Sequence, residues 1–273
     1  MAALPRSLVF GGLVLALVAF AALFGPMLAP YPYDQMDIMA RMTPPDAAHW
    51  FGTDEFGRDV LSRMLYGARL SLLMGVGATF VSLVIGVPLG LAAGYHGGRV
   101  DEVIMRAIDL VISVPPILMG LLLLSLSPPN VWKTAAAVGI IYVPIMARLA
   151  RSVTLEIARE EFVLAARARG ERLWYILAAE ILPNAWPPII VEAALRVTFA
   201  IMLGAALSFL GLGVQPPSSD WGLMIAEARP FIDTAPWVAL APGVVLCITV
   251  IAVNLVGDGL REVLDPRLRK GRG

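Results

Sequence analysis

Charged side chains leave long gaps along this chain. No Asp, Glu, Lys or Arg falls between Arg6 and Asp34, Arg69 and Arg99, Asp109 and Lys133, Arg196 and Asp220, or Asp233 and Asp258. Each gap supplies the roughly 20 apolar residues a helix needs to cross about 30 Å of hydrocarbon. The shorter gap from Lys133 to Arg148 serves too, because long basic side chains carry their charge to the interface while their stems stay in lipid. The pattern predicts six spans, near 8–29, 70–94, 104–126, 131–150, 186–210 and 236–257. In hydrocarbon every backbone N–H and C=O must be satisfied within its segment, so the spans are expected to be helices. The short stretches of alternating polarity that a membrane β-barrel requires are absent. The expected fold class is an all-α integral membrane protein, with one domain over residues 1–273.

Composition supports lipid as the solvent: 58% of the 273 residues are apolar and 15% are charged, too few polar groups to clothe a soluble domain. The net charge is zero, yet its distribution is uneven. With the N-terminus inside, the inner side receives Arg6, Arg99, Arg106, the cluster from 148 to 172 and the tail from Arg261 to Arg272. The outer side then holds only Arg41, Arg58, Arg63, Arg69, Lys133 and Arg229. The positive-inside bias places both termini in the cytoplasm. Ala19-Phe20-Ala21 resembles a signal cleavage site, but apolarity runs on through Leu28, which favours an uncleaved anchor. Cys247 is the single cysteine, so no disulfide framework exists, and it is expected to be a small buried apolar residue.

Polar pieces separate the spans: an outer segment at 30–69, an inner turn from Tyr95 to Arg99, an inner loop at 151–185 and an outer loop at 212–235. The inner loop is the densest in charge. Within it Phe162, Ala165, Ala166 and Arg169 recur at one-face helical spacing. Glu156, Glu160 and Glu161 lie toward the start, where carboxylates suit the positive end of the helix dipole. Gly170 permits the sharp turn that ends a helix. A second amphipathic segment follows with Leu173, Ile176 and Leu177, and Pro183 is expected to stop it. Two short helices around a glycine hinge, with a small-residue face, suit docking into a groove. By periodicity alone a helix pair lying on the bilayer surface fits equally well.

Ala165-Ala166-x3-Gly170 followed by Leu182-Pro183 resembles the "EAA" loop of ABC importer permeases. Leu164 stands where that family has its name-giving Glu, and Glu180 where many members have Ile. The run from Phe51 through Gly52, Thr53, Asp54, Glu55, Phe56, Gly57, Arg58 and Asp59 to Ser62-Arg63 is similar to the outer-loop signature of the dipeptide/oligopeptide/nickel branch. Ser208 to Pro217 with Trp221-Gly222 is similar to its second outer loop, and Asn254 to Arg261 with Asp265-Pro266 to its C-terminal end. The order of the motifs resembles the second, C-type, permease of that branch. The resemblance implies a type I importer fold of six transmembrane helices. It implies a coupling loop of Glu161, Phe162, Ala165, Ala166, Arg169, Gly170, Leu182 and Pro183 that docks a separate ATPase. With Leu164 in place of Glu, docking is expected to rest on Ala165, Ala166 and the glycine turn. It also implies a non-identical partner permease, two ATP-binding subunits carrying ATP and magnesium, and an extracytoplasmic binding protein that delivers di- or oligopeptides, nickel or another small solute.

The remaining chemistry is sparse. Asp54, Glu55 and Asp59 are clustered oxygens a hard cation would accept, but their spacing fits no known metal loop, and a turn held by Asp-to-backbone bonds is the better reading. Gly52, Thr53, Asp54, Gly57, Arg58 and Asp59 are expected to contact the binding protein. Glu192 and Arg196 sit four apart inside a span, where an ionisable residue is a site candidate and also a favourable intrahelical pair. Local pairing is expected there, and likewise for Arg106 with Asp109 and Asp258 with Arg261. Methionines fall singly on different spans, and His49 and His96 lie on opposite sides, so neither type builds a shared metal site. The chain has no G-x4-G-K-[ST] loop for ATP, no zinc spacing and no nucleophile elbow. A nucleic-acid partner is not expected. An ion-coupled transporter would need intramembrane carboxylate relays or related halves, and an intramembrane enzyme would need a polar catalytic set inside the spans; neither is evident.

Overall fold

The computed structural model describes residues 4–126, 128 and 130–264. Ten α-helices follow one another: α1 Arg6–Leu28, α2 Val60–His96, α3 Gly98–Ile112, α4 Pro116–Ser125, α5 Val131–Ile157, α6 Glu161–Ala168, α7 Leu173–Tyr175, α8 Leu182–Phe209, α9 Trp221–Ala228 and α10 Trp237–Leu264. Among the described residues the only extended pairing is a bridge between Thr53 and Asp59. Asp265-Pro266 and the basic tail lie outside the described residues.

Five helices are long and apolar enough to cross a membrane: α1, α2, α5, the run Leu173–Phe209 and α10. The third expected span departs from a straight crossing. Here α3 and α4 are bent by 88°, because Pro115 and Pro116 offer no N–H to continue the ladder and their rings clash with the preceding turn. Counting that pair as one broken span gives six.

Two boundaries also shift. Helix α2 begins at Val60, within the outer segment expected over 30–69, because the Asp59 side chain accepts the Ser62 N–H and caps it. At 37 residues α2 is about 55 Å long, longer than the roughly 30 Å of hydrocarbon it would cross. Pro183 does not stop the second inner helix. The backbone widens to π geometry over Ile176–Ile181, with the Leu182 N–H reaching Leu177 O, and α8 carries on. The wider turn absorbs the missing N–H and bulky ring of Pro183.

The core is built by close backbone approach. A Cβ at Gly86, Gly90 or Gly94 would come within 2.8, 2.3 and 2.7 Å of the Val143, Ala147 and Arg151 carbonyl oxygens. These glycines recur every fourth residue on α2 and let α5 lie against it. Lipid tails are as apolar as Leu, so such packing, not water expulsion, holds membrane helices together. Helix α1 lies on α10 and α2 in the same way, with Gly11 against Ala252 and Gly25 against Leu65. Ion pairs also join α3 to α5: Arg151 grips Asp101 through two bonds of 2.5 Å. Asp109 takes Arg148 at 2.6 Å rather than Arg106, where α3 packs against α5. Glu192 and Arg196 do pair along α8, at 2.8 Å. Cys247, expected to be buried, is exposed on α10.

Candidate functional site: the inner loop and its outer counterpart

The inner loop begins where α5 ends at Ile157. Its helix α6 has two faces. Val163 and Ala166 are fully buried and pack among Val87 and Leu91 of α2, Met146 and Ala150 of α5, and Ile181, Ala185 and Ile189. Phe162, Ala165 and Arg169 are exposed, together with Glu161 and Leu164. The expected one-face grouping of Phe162, Ala165, Ala166 and Arg169 is therefore corrected in one member: Ala166 turns inward. Its methyl group is small enough to seat α6 on the helix bundle, while Ala165 presents the small outward surface.

The glycine turn closes as the spacing required. Gly170 has φ +74°, its N–H bonds Arg167 O at 2.9 Å, and the Glu171 N–H reaches back to Ala166 O at 3.2 Å. These two bonds are the Schellman pattern that satisfies the last carbonyls of a helix. A Cβ at Gly170 would meet nothing within 4 Å, so the glycine is required by its backbone angle alone. Two side-chain pairs brace the turn. Arg169 Nη2 lies 3.6 Å from Glu180 Oε1, the position where Ile is common. The Arg167 guanidinium stacks 4.3 Å over the Tyr95 ring and donates to its hydroxyl at 3.1 Å, tying α6 to the end of α2. Leu182 and Pro183 begin α8 and join the loop to the long helix without a break.

In the segment expected to contact the binding protein, Gly52, Thr53, Asp54, Gly57, Arg58 and Asp59 are drawn into a cluster with Arg63 and Glu227. All six are buried within the chain. The Asp54 carboxylate accepts Arg58 Nε and Arg63 Nη1, each at 2.6 Å, and the Phe56 and Arg58 backbone N–H groups at 2.8 and 2.9 Å. Glu227 of α9 receives Arg63 at 2.7 Å and Arg58 at 3.2 Å. Asp59 accepts from Ser62 while His49 Nδ1 lies 2.9 Å from its other oxygen. Thr53 holds Ala40 and Thr43, and its carbonyl takes the Trp237 indole N–H at 3.3 Å. Gly57 sits where a Cβ would overlap Asp37 O. Desolvated charges persist only when paired and hydrogen-bonded, and this cluster meets that condition by fastening the outer segment to α2, α9 and α10. The surface it leaves outward is Trp50, Phe51 and Phe56. Burial also raises the Glu55 carboxyl, with the Asp54 and Glu227 charges acting in the same direction. Asp220 caps α9 through Oδ1 to the Gly222 and Leu223 N–H groups, and burial pushes its pKa up to about 6 against those donors.

The sequence assigns no role to Val163, Tyr95 or Glu227. Gly86-x3-Gly90-x3-Gly94 was readable as a small-residue repeat; nothing in the sequence pairs Glu227 with Arg63.

A set of helices long and apolar enough to cross a membrane, carrying an amphipathic helix with one face seated and one exposed, is the architecture of a multi-pass membrane protein. Comparison with known proteins is specific. The chain belongs to the family described as binding-protein-dependent transport system inner membrane component, which matches residues 86–270. Residues 6–45 match the N-terminal TM domain of oligopeptide transport permease C. It is 41% identical over 261 residues to the dipeptide transport system permease protein DppC of Alkalihalophilus pseudofirmus, spanning 96% of this chain and 86% of that one. It is 40% identical to the oligopeptide transport system permease protein OppC of Bacillus subtilis, over 95% of this chain and 85% of that one. A chain of the methionine ABC transporter MetNI, in inward-facing conformations, superposes with a TM-score of 0.61 at 19% identity, covering 73% of this chain and 94% of its own. The protein is thus a multi-pass inner-membrane transport subunit and not an ATPase.

Proposed function

We propose that this chain is one of two non-identical permease subunits in a peptide importer, receiving di- or oligopeptides from an extracytoplasmic binding protein. Two separate subunits hydrolyse ATP with magnesium, and this chain binds no cofactor. Both termini and α6 face the cytoplasm. The peptide assignment is favoured by relatives named as dipeptide and oligopeptide permeases; nickel or another small solute is the alternative that the same machinery allows.

One observation carries the mechanism: α6 is exposed on its Phe162, Ala165 and Arg169 side and locked on its Val163 and Ala166 side into residues of α2, α5 and the π segment–α8 run. An ATPase closing on α6 therefore moves three long helices together, since packed interfaces shift as units rather than deform. That is coupling between distant sites through a two-state element; the chain contributes the lever and the path, not chemistry. The assembled transporter, reconstituted with its neighbouring gene products, should take up labelled dipeptide in an ATP-dependent manner. Uptake of nickel without peptide would reassign the substrate, and uptake driven by an ion gradient without ATP would reject the reading.

A further inference from the structure

We propose that the break between α3 and α4 lines the aqueous path of the transported solute, its free carbonyl oxygens accepting from the ammonium and amide N–H groups of a peptide. This rests on the importer reading and adds to it a place and a chemistry.

The break lies beside the midpoint of α5, a helix long and apolar enough to cross a membrane. Val111 shares an apolar recess of about 340 Å³ with Ile140, Val143 and Pro144, at the midpoint of α5. One turn into α4, a Cβ on Gly120 would meet Leu207 near the far end of α8. Between these points the backbone is irregular. Pro115 and Pro116 have no N–H, and among the described residues no donor meets the carbonyl oxygens of Ile112, Ser113 and Val114. The Ser113 hydroxyl is already committed to Leu110 O at 2.7 Å. Ser113, Pro115 and Pro116 are exposed on the chain. Orphan carbonyls facing hydrocarbon each cost several kcal/mol, so irregular backbone at this depth occurs only inside protein or along water.

A second observation favours water. One turn before the break, Asp109 and Arg148 pair at 2.6 Å with side chains 54% and 51% exposed. Half-exposed charges within spans are expensive in lipid and mark solute or ion paths. Arg148 belongs to an exposed stripe of α5, with Ile145 and Ser152 at helical spacing. The break, the ion pair and the stripe form one surface offering acceptors and both signs of charge, which matches a zwitterionic peptide.

The test uses single cysteines in the assembled transporter with Cys247→Ser, in membrane vesicles. Ser113→Cys and Ile145→Cys are reacted with a membrane-impermeant methanethiosulfonate, beside Leu17→Cys and Leu240→Cys at exposed apolar positions of α1 and α10. The reagent needs a thiolate, which forms only in water. Reaction roughly tenfold or more faster at Ser113→Cys and Ile145→Cys than at the controls, slowed by transported peptide, supports the proposal. Control-like rates overturn it, whether lipid or the partner permease covers the face; Ile145→Cys decides alone if Ser113→Cys fails to assemble. Peptide uptake by each variant is measured separately. Slow labelling with uptake intact rejects the path and leaves the importer reading standing.

Discussion

Arg63 Nη2 lies 2.7 Å from Glu227 Oε2, joining residues 164 positions apart and locking the outer end of α2 to α9. The other arm of Arg63 reaches Asp54, which is wholly buried. Asp54→Ala would leave Arg58 and Arg63 buried with one acceptor fewer, and breaking a buried pair costs about 3–5 kcal/mol. Thermal unfolding of the purified protein in detergent should show that loss for Asp54→Ala. Exposed Phe56→Ala should change stability by no more than about 0.5 kcal/mol. Equal, small effects for both would mean the cluster is not structural.

Helix α2 meets α5 through glycine, and the positions differ sharply in the room they leave. A Cβ at Gly90 would lie 2.3 Å from Ala147 O, whereas at Gly12 it would meet nothing within 4 Å. Gly90→Ala should cost about 1–3 kcal/mol by overpacking against backbone. Gly12→Ala should be neutral or stabilising by up to about 1 kcal/mol, because Ala is the better helix former. Melting temperatures measured side by side decide between close packing and mere helix propensity.

Asp220 sets a pH dependence of definite sign. Its folded pKa is raised to about 6 from 3.8, chiefly by burial, so the folded state favours the protonated form. The resulting stabilisation is complete below about pH 4 and lost as pH rises through about 6, a contribution of roughly 2–3 kcal/mol. Protonation leaves the cap to Gly222 and Leu223 in place, since those bonds use Oδ1 and the proton can sit on Oδ2. Protection factors of the Trp221–Ala228 amides, which divide out the base-catalysed intrinsic rate, should rise from pH 7 to 5 in the parent, and Asp220→Asn should remove that part of the pH dependence. Protection that falls on acidification in the parent alone would contradict the sign.

Much of this molecule is legible from charge gaps and punctuation. The starts of α1, α5 and α10 fall close to those of the expected spans, and Gly170 marks its own turn because a positive φ has few other occupants. What escaped reading depends on neighbours distant in sequence. The outward look of Asp54, Arg58 and Asp59 is the ordinary inference for charged loop residues, and only Arg63 and Glu227 arriving from elsewhere make burial tolerable. Ala166 was placed with Ala165 because helical periodicity assigns a shared face but not which edge of it meets the bundle. Pro115-Pro116 stood in plain view. A gap in charge conceals a bend, since hydropathy reports apolar length and not direction.

The central claim is that the outward face of α6 docks an ATPase while its inward face holds the lever. Ala165 isolates that claim, being exposed, small and without a role in the core, unlike Ala166 at 0% exposure. The direct measurement is co-purification of the ATP-binding subunits with Ala165→Trp, together with the amount of chain reaching the membrane. The account predicts normal membrane levels and unchanged melting, with ATPase recovery and peptide-stimulated hydrolysis reduced roughly tenfold or more, equivalent to about 1.4 kcal/mol of docking energy. ATPase recovery and hydrolysis at the parent's level would contradict it.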